Sequence, residues 1–327
     1  MKSLLNFLKN WTLPAAIATG IVVYSIFFWV PALDAVGERL EGVFDTILPL
    51  FMGMILFTTF CRVDFHRMRL HRWHVWVTVA QVLLVAMTAA VILGYRLTGR
   101  ALIGMEGVLT CIIGPGAAAA AVVTSKLGGN LESMTTYTFL SNFVTALLVP
   151  LIFPLIDPDV TMTFWKSFLL ILYKVCLVLV LPMVAAYVVK HWMHRLHRLI
   201  LGIEDLSFYM WGISLSIVTG VTVKNIVHAD TTWPFLLTLA VLAAVLCMMQ
   251  FAVGRYIGHF FDATIESGQG LGQKNTAFAI WIAYTYLNPL SSVGPGCYIL
   301  WQNAVNSLEL WHRRKKAANP VNNPVKS

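Results

Sequence analysis

One lysine sits where an apolar chain should not carry a charge. Lys274 lies eleven residues into the stretch Ala263–Tyr286, and Gln269, Gln273, Asn275 and Thr276 surround it. An ammonium at the centre of a membrane helix costs roughly 2.5–3.5 kcal/mol on insertion scales. It therefore needs a partner. Three roles are open to it: holding an anionic solute, titrating so as to carry protons, or tethering backbone carbonyls of another helix. Gln273 and Asn275 could add hydrogen bonds on either side.

Other polar groups are scattered through apolar surroundings. Lys174 stands beside Tyr173, and its long stem suits snorkelling or a bond to a carbonyl. Gln81 is either an interhelical hydrogen bond or a site residue, and Thr138, Ser141 and Asn142 face the same choice. Glu106 and Glu266 fall near the ends of apolar stretches, where solvated or ion-paired roles are expected. His191, His194 and His197 sit among Lys190, Arg195 and Arg198, which reads as an interfacial basic segment near anionic lipid, not as a metal site. The five cysteines form no C-x-x-C pair and read as packing residues. No phosphate loop, H-E-x-x-H, nucleophile elbow or dinucleotide fingerprint is present, so neither an enzyme nor a bound cofactor is expected.

The elements that hold these residues are membrane helices. Of 327 residues, 58% are apolar and only 12% charged, and the mean hydropathy is +0.74. Soluble domains carry roughly 25% charge. The apolar runs predict ten spans: Thr12–Val30, Thr46–Phe60, Trp73–Tyr95, Leu102–Thr124, Leu131–Leu155, Phe164–Val189, Leu206–Val223, Trp233–Phe251, Ala263–Tyr286 and Tyr298–Trp311. With a cytoplasmic N-terminus, sixteen of the 23 Lys and Arg fall on inside segments and five outside. The net charge of +8 is thus a topology signal and not a mark of nucleic-acid binding. Both termini are expected in the cytoplasm, with the protein in the cell's inner (plasma) membrane.

Five spans per half let the second half enter from the opposite face, as an inverted repeat. The fourth helix of each half is interrupted, at Gly114-Pro115-Gly116 and along Gly268, Gly270 and Gly272. Breaks at matching positions point to a transport site. Each leaves a half-helix N-terminus whose N–H groups favour an anion. The small side chains Ala117 to Ala121 after the first break permit close approach.

In order and spacing, several fragments resemble the bile acid:sodium symporter family. They are Phe51-Met52-Gly53-Met54, Val63-Asp64-Phe65, Gln81, Cys111-Ile112-Ile113-Gly114-Pro115-Gly116, Gly129-Asn130, Leu148-Val149-Pro150-Leu151 with Pro154-Leu155, and Gly272-Gln273-Lys274-Asn275. The resemblance implies an all-α membrane fold of ten helices in two inverted five-helix repeats, with broken helices four and nine crossing. It implies a panel of helices within residues 12–60 and 164–223, and a core of helices within 73–155 and 233–311. Solute would bind between them, near Pro115, Gly116 and Ala118. Relative motion of the two would give alternating access, and the cargo would be an organic anion carried with sodium.

The departures bear on the sodium. The family's Ser-Asn pair reads Ala120 and Ala121 here, its post-break threonine Ala118, its helix-five serine Met134, and its glutamate and glutamine Gly270 and Lys274. Gln81, Thr138 and Asn275 remain. The expectation is a sodium-independent transporter of a small or amphipathic organic anion, proton-coupled or facilitative, in which Lys274 replaces the sodium charge. A sodium-coupled symporter, which an alternative alignment would give Glu266 as its carboxylate, and a non-transporting sensor or scaffold are the alternatives.

Overall fold

The computed structural model describes residues 12–30, 47, 50–51, 53–62, 68–157, 163–203, 206–227 and 231–318. The elements are α1 (Thr12–Trp29), α2 (Arg72–Gly94), α3 (Gly99–Ile113), α4 (Ala118–Leu127), α5 (Leu131–Ile156), α6 (Phe164–Trp192), α7 (His194–Gly202), α8 (Leu206–Val227), α9 (Trp233–His259), α10 (Thr264–Gly272), α11 (Thr276–Tyr286), a 3-10 turn (Pro289–Ser292) and α12 (Val293–Ala318). Residues 53–61 are also helical. The start of the second expected span, the turn Val63-Asp64-Phe65 and both chain ends lie outside the described residues.

Among the described residues, four helices are long and apolar enough to cross a bilayer: α2, α5, α6 and α9. At 1.5 Å per residue, a helix of α2's 23 residues spans about 35 Å, slightly more than a hydrocarbon core. Along α9 the exposed side chains Leu237, Val241, Val245 and Met248 form one apolar stripe, while Leu239, Ala243, Leu246 and Gln250 are buried on the opposite side. An exposed stripe of that kind suits lipid, because acyl chains and not water surround it.

Helices α2 to α5 and α9 to α12 pack into one body. α1 pairs with α8 through the backbones around Gly20 and Gly220, and α6 lies against α5. The short basic helix α7 follows α6 directly; His197 shares a 2.7 Å hydrogen bond with the carbonyl of Cys61. Among the described residues no cluster of His, Cys, Asp or Glu could hold a metal.

Both interrupted helices are broken, but only the first breaks where the sequence predicts. α3 ends at Ile113 because Pro115 has no N–H to continue the ladder and holds Gly114 extended (φ −52°, ψ 140°). The second interruption is not in the glycine run. α10 stays helical through Gly272, and the chain opens at Gln273–Asn275. Gly268, Gly270 and Gly272 make room for neighbours instead: the Arg255 stem, the Tyr137 and Trp73 rings, and the Phe251 ring, respectively. Asn275 starts the next half-helix, its Oδ1 accepting from the Phe278 N–H at 3.2 Å.

Candidate functional site

The two open segments cross and pair. Gly116 and Lys274 form an isolated antiparallel bridge. The Ala117 N–H donates to the Gln273 carbonyl at 3.0 Å, and the Asn275 N–H to the Pro115 carbonyl at 2.8 Å. Where water is absent, unpaired backbone groups cost several kcal/mol each; here each break satisfies the other. A neighbouring helix then pins each segment. Ser141 Oγ of α5 accepts from the Gly116 N–H at 2.8 Å. Gln302 of α12 accepts from the Lys274 N–H at 2.8 Å and donates to its carbonyl at 3.2 Å.

The carbonyls that end α3 gather donors. Gln81 Nε2 lies 3.2, 3.3 and 3.2 Å from those of Ile112, Ile113 and Gly114. Thr145 Oγ1 donates to Ile113 at 2.8 Å. Lys274 Nζ donates to Ile112 at 3.0 Å, and the residue is 1% exposed. A helix C-terminus carries about half a negative charge in its unpaired carbonyls, so an ammonium is favoured there. No acidic side chain pairs with Lys274 among the described residues. Of the three roles open to Lys274, this geometry displays the carbonyl tether.

The remaining site candidates divide. Gln273 contributes its carbonyl to the pairing, while its side-chain Oε1 is buried without a partner among the described residues. Thr138 spends its hydroxyl on Met134 of its own helix. Ala118 opens α4, which has no side-chain cap; its own side chain lies outside the described residues. The positions that the resemblance aligns with sodium ligands, Ala120, Ala121, Met134 and Gly270, carry no side-chain oxygen. Ala120, Ala121 and Met134 belong to a buried apolar cluster with Trp73, Val77, Ala117, Tyr137 and Leu271. A Cβ at Gly270 would meet the Tyr137 ring at 3.0 Å and that of Trp73 at 3.3 Å, so these two rings leave no room there for a larger side chain.

Two further expectations need correction. Glu106, at 2% exposure, and Glu266 are buried, and neither makes an ion pair among the described residues. Glu106 Oε2 accepts from the Asn288 N–H at 3.3 Å, and Glu266 Oε1 from the Asn130 N–H at 2.5 Å. Both asparagines cap the helical turn that follows them. The folded protein also reveals residues that the sequence did not single out. Tyr137 donates to Gln81 at 3.4 Å. Gln250 donates to the Tyr298 hydroxyl at 3.0 Å, which donates to the Gly272 carbonyl at 2.7 Å. A buried amide in an apolar run (Gln250 in Met248-Met249-Gln250-Phe251, Gln302 in Leu300-Trp301-Gln302) was the available signal. Lys174 is exposed, with Nζ 5.9 Å above the Tyr286 ring.

Residues 49–229 match the model of the sodium bile acid symporter family, over half of the chain. The match takes in the first break and stops before α9. No curated protein matches the chain. With its apolar helices and this match, the chain is a multi-pass membrane protein that belongs to the sodium bile acid symporter family.

Proposed function

We propose that the protein is a secondary transporter of a small or amphipathic organic anion, working by alternating access without sodium, with Lys274 in the role of the cation. The observation that carries this reading is the Lys274 ammonium on the Ile112 carbonyl, beside sodium positions closed by an apolar cluster. A sodium ion needs a cage of oxygens; a lysine side chain delivers one positive charge to the same helix end without a cage. The anion would meet the uncapped N-terminus of α4. Lys274 would hold the crossing together and leave the solute to backbone donors and small side chains. Coupling is then to protons or to none.

The reading includes ten spans in two inverted halves, a panel of helices within residues 12–60 and 164–223, and a core of helices within 73–155 and 233–311. Matched pairs support the inversion: Glu106 with Asn288 answers Glu266 with Asn130, and Gln81 with Tyr137 answers Gln250 with Tyr298. The charge bias supports cytoplasmic termini in the cell's inner membrane. Uptake of labelled organic anions into proteoliposomes tests the proposal. Uptake is expected to be unchanged when choline replaces sodium. Sodium-stimulated uptake, or stabilisation on heating by sodium over choline, would overturn it.

A further inference from the structure

The basic segment after α6 folds into α7, and its side chains sort into three arcs. Met193 (φ −112°, ψ 57°) is not helical, so the chain leaves the axis of α6 there. At about 100° per residue, His197 and Ile200 share one side, which faces the protein. Ile200 is buried, and His197 bonds to the Cys61 carbonyl. Arg62 fastens the far end, donating to the Ile203 carbonyl at 2.6 Å. Leu196, Leu199 and, just past the last turn, Ile203 share a second side and are exposed, Leu199 at 69%. His194, Arg195 and Arg198 form the third side and are exposed as well.

Two further observations say what covers the outer sides. The first is depth. The exposed apolar stripe of α6, Leu177, Leu181 and Val184, ends in exposed Tyr187 and Trp192, and exposed Tyr and Trp at the end of a membrane helix mark the level of the headgroups. α7 follows at that level. The second is charge. From Lys190 to Ile203 the chain carries no acidic residue; Glu204 and Asp205 come next and lie outside the described residues. Arg195 and Arg198 make no ion pair among the described residues. The basic arc lies across the helix from the apolar one, as it does in helices that lie along a bilayer surface.

We propose that α7 docks on anionic lipid of the membrane that the chain spans, with Leu196, Leu199 and Ile203 among acyl chains and Arg195 and Arg198 on headgroup phosphates. Arginine presents a planar fork matched to phosphate. Arg62 and His197 tie this lipid contact to the helix over residues 53–61. The docking rests on the chain's place in a membrane and not on the transported solute, because it is read without uptake.

The test uses the purified full chain in discs of mixed phosphatidylglycerol and phosphatidylcholine. Lipid retained on transfer to neutral detergent is scored by native mass spectrometry. Nitroxide labels on Leu199→Cys and on Arg195→Cys are scored for contact with oxygen, which concentrates among acyl chains, and with a water-soluble nickel chelate; the unsubstituted chain gives the labelling background. Phosphatidylglycerol should be retained in preference. Arg195→Gln with Arg198→Gln should weaken that preference at least tenfold, since each basic residue near an anionic surface contributes roughly fivefold. Both arginines are exposed, so the melting temperature in neutral detergent should stay unchanged, and Arg195→Lys with Arg198→Lys should keep the preference. The label at Leu199 should meet oxygen and the label at Arg195 the chelate. Equal retention of the two lipids, or a preference that the double glutamine variant keeps in full, would overturn the proposal. So would a label at Leu199 open to the chelate, which leaves that face in water, or one shielded from both reagents, which places another protein chain on it.

Discussion

The two breaks at the crossing meet one requirement with different chemistry. The first, Gly114-Pro115-Gly116, is a backbone device: proline ends the helix, and what the segment presents is carbonyls. The second, Gln273-Lys274-Asn275, is a side-chain device: an asparagine cap and an ammonium. One half presents the negative end of a helix and the other brings the positive group that answers it. The charge and its counterpart thus belong to different halves of the chain, and neither break is complete alone.

The largest effect should come from removing the ammonium. Lys274→Met keeps the apolar stem and deletes the donor, leaving the Ile112 carbonyl to an amide already shared among three. The loss should be about 1.5–3 kcal/mol, the range for a hydrogen bond to a charged group. It would be measured as a fall in thermal unfolding temperature in detergent, alongside loss of uptake. Asn275→Ala removes only a cap and should cost about 1 kcal/mol. If Asn275→Ala proved the more damaging, the second break would be held chiefly by its cap and not by its charge, and the pairing of ammonium with helix end would lose its weight.

Next come the glycines that flank each break. Phe251, a buried ring, stands 2.5 and 2.6 Å by its Cδ atoms from where a Cβ on Gly272 would sit. Gly272→Ala should cost about 1–3 kcal/mol through overpacking. At Gly114 the nearest atoms are the Thr110 carbonyl oxygen at 3.4 Å and Ala279 Cβ at 3.6 Å, and φ is negative. Gly114→Ala should therefore change unfolding by less than about 1 kcal/mol. Equal losses would show that both segments are clamped alike.

The first break was legible because its cause is local: a proline acts on the residue before it in any context. The second was legible only roughly, because glycine in a membrane helix signals either a break or a close approach. Which one applies depends on partners such as Phe251 and Tyr137 that are distant in sequence. The isolation of Lys274 was visible from hydropathy alone. Its acceptor, Ile112, lies 162 residues away and becomes apparent only in the folded chain. Glu106 and Glu266 misled for a related reason. Hydropathy places them near span ends, but a loop from the opposite half folds over each and removes it from solvent.

Those two glutamates give the smallest and most symmetrical test. In a capping box, a glutamate one turn into the helix reaches back to the N–H of the capping residue. Here each capping asparagine receives that second bond from the other half of the chain: Glu106 serves Asn288 and Glu266 serves Asn130. Glu106→Gln and Glu266→Gln retain an acceptor oxygen and should each cost less than about 1 kcal/mol, because a neutral bond replaces a charge-assisted one. The alanine variants should cost about 1–2 kcal/mol each, with a bond lost outright. Amide hydrogen exchange at Asn288 and Asn130 reads each bond separately. Matched loss of protection would extend the likeness of the halves from the crossing to their outer ends. Loss at one asparagine alone would confine that likeness to the crossing and leave the other glutamate as an incidental contact.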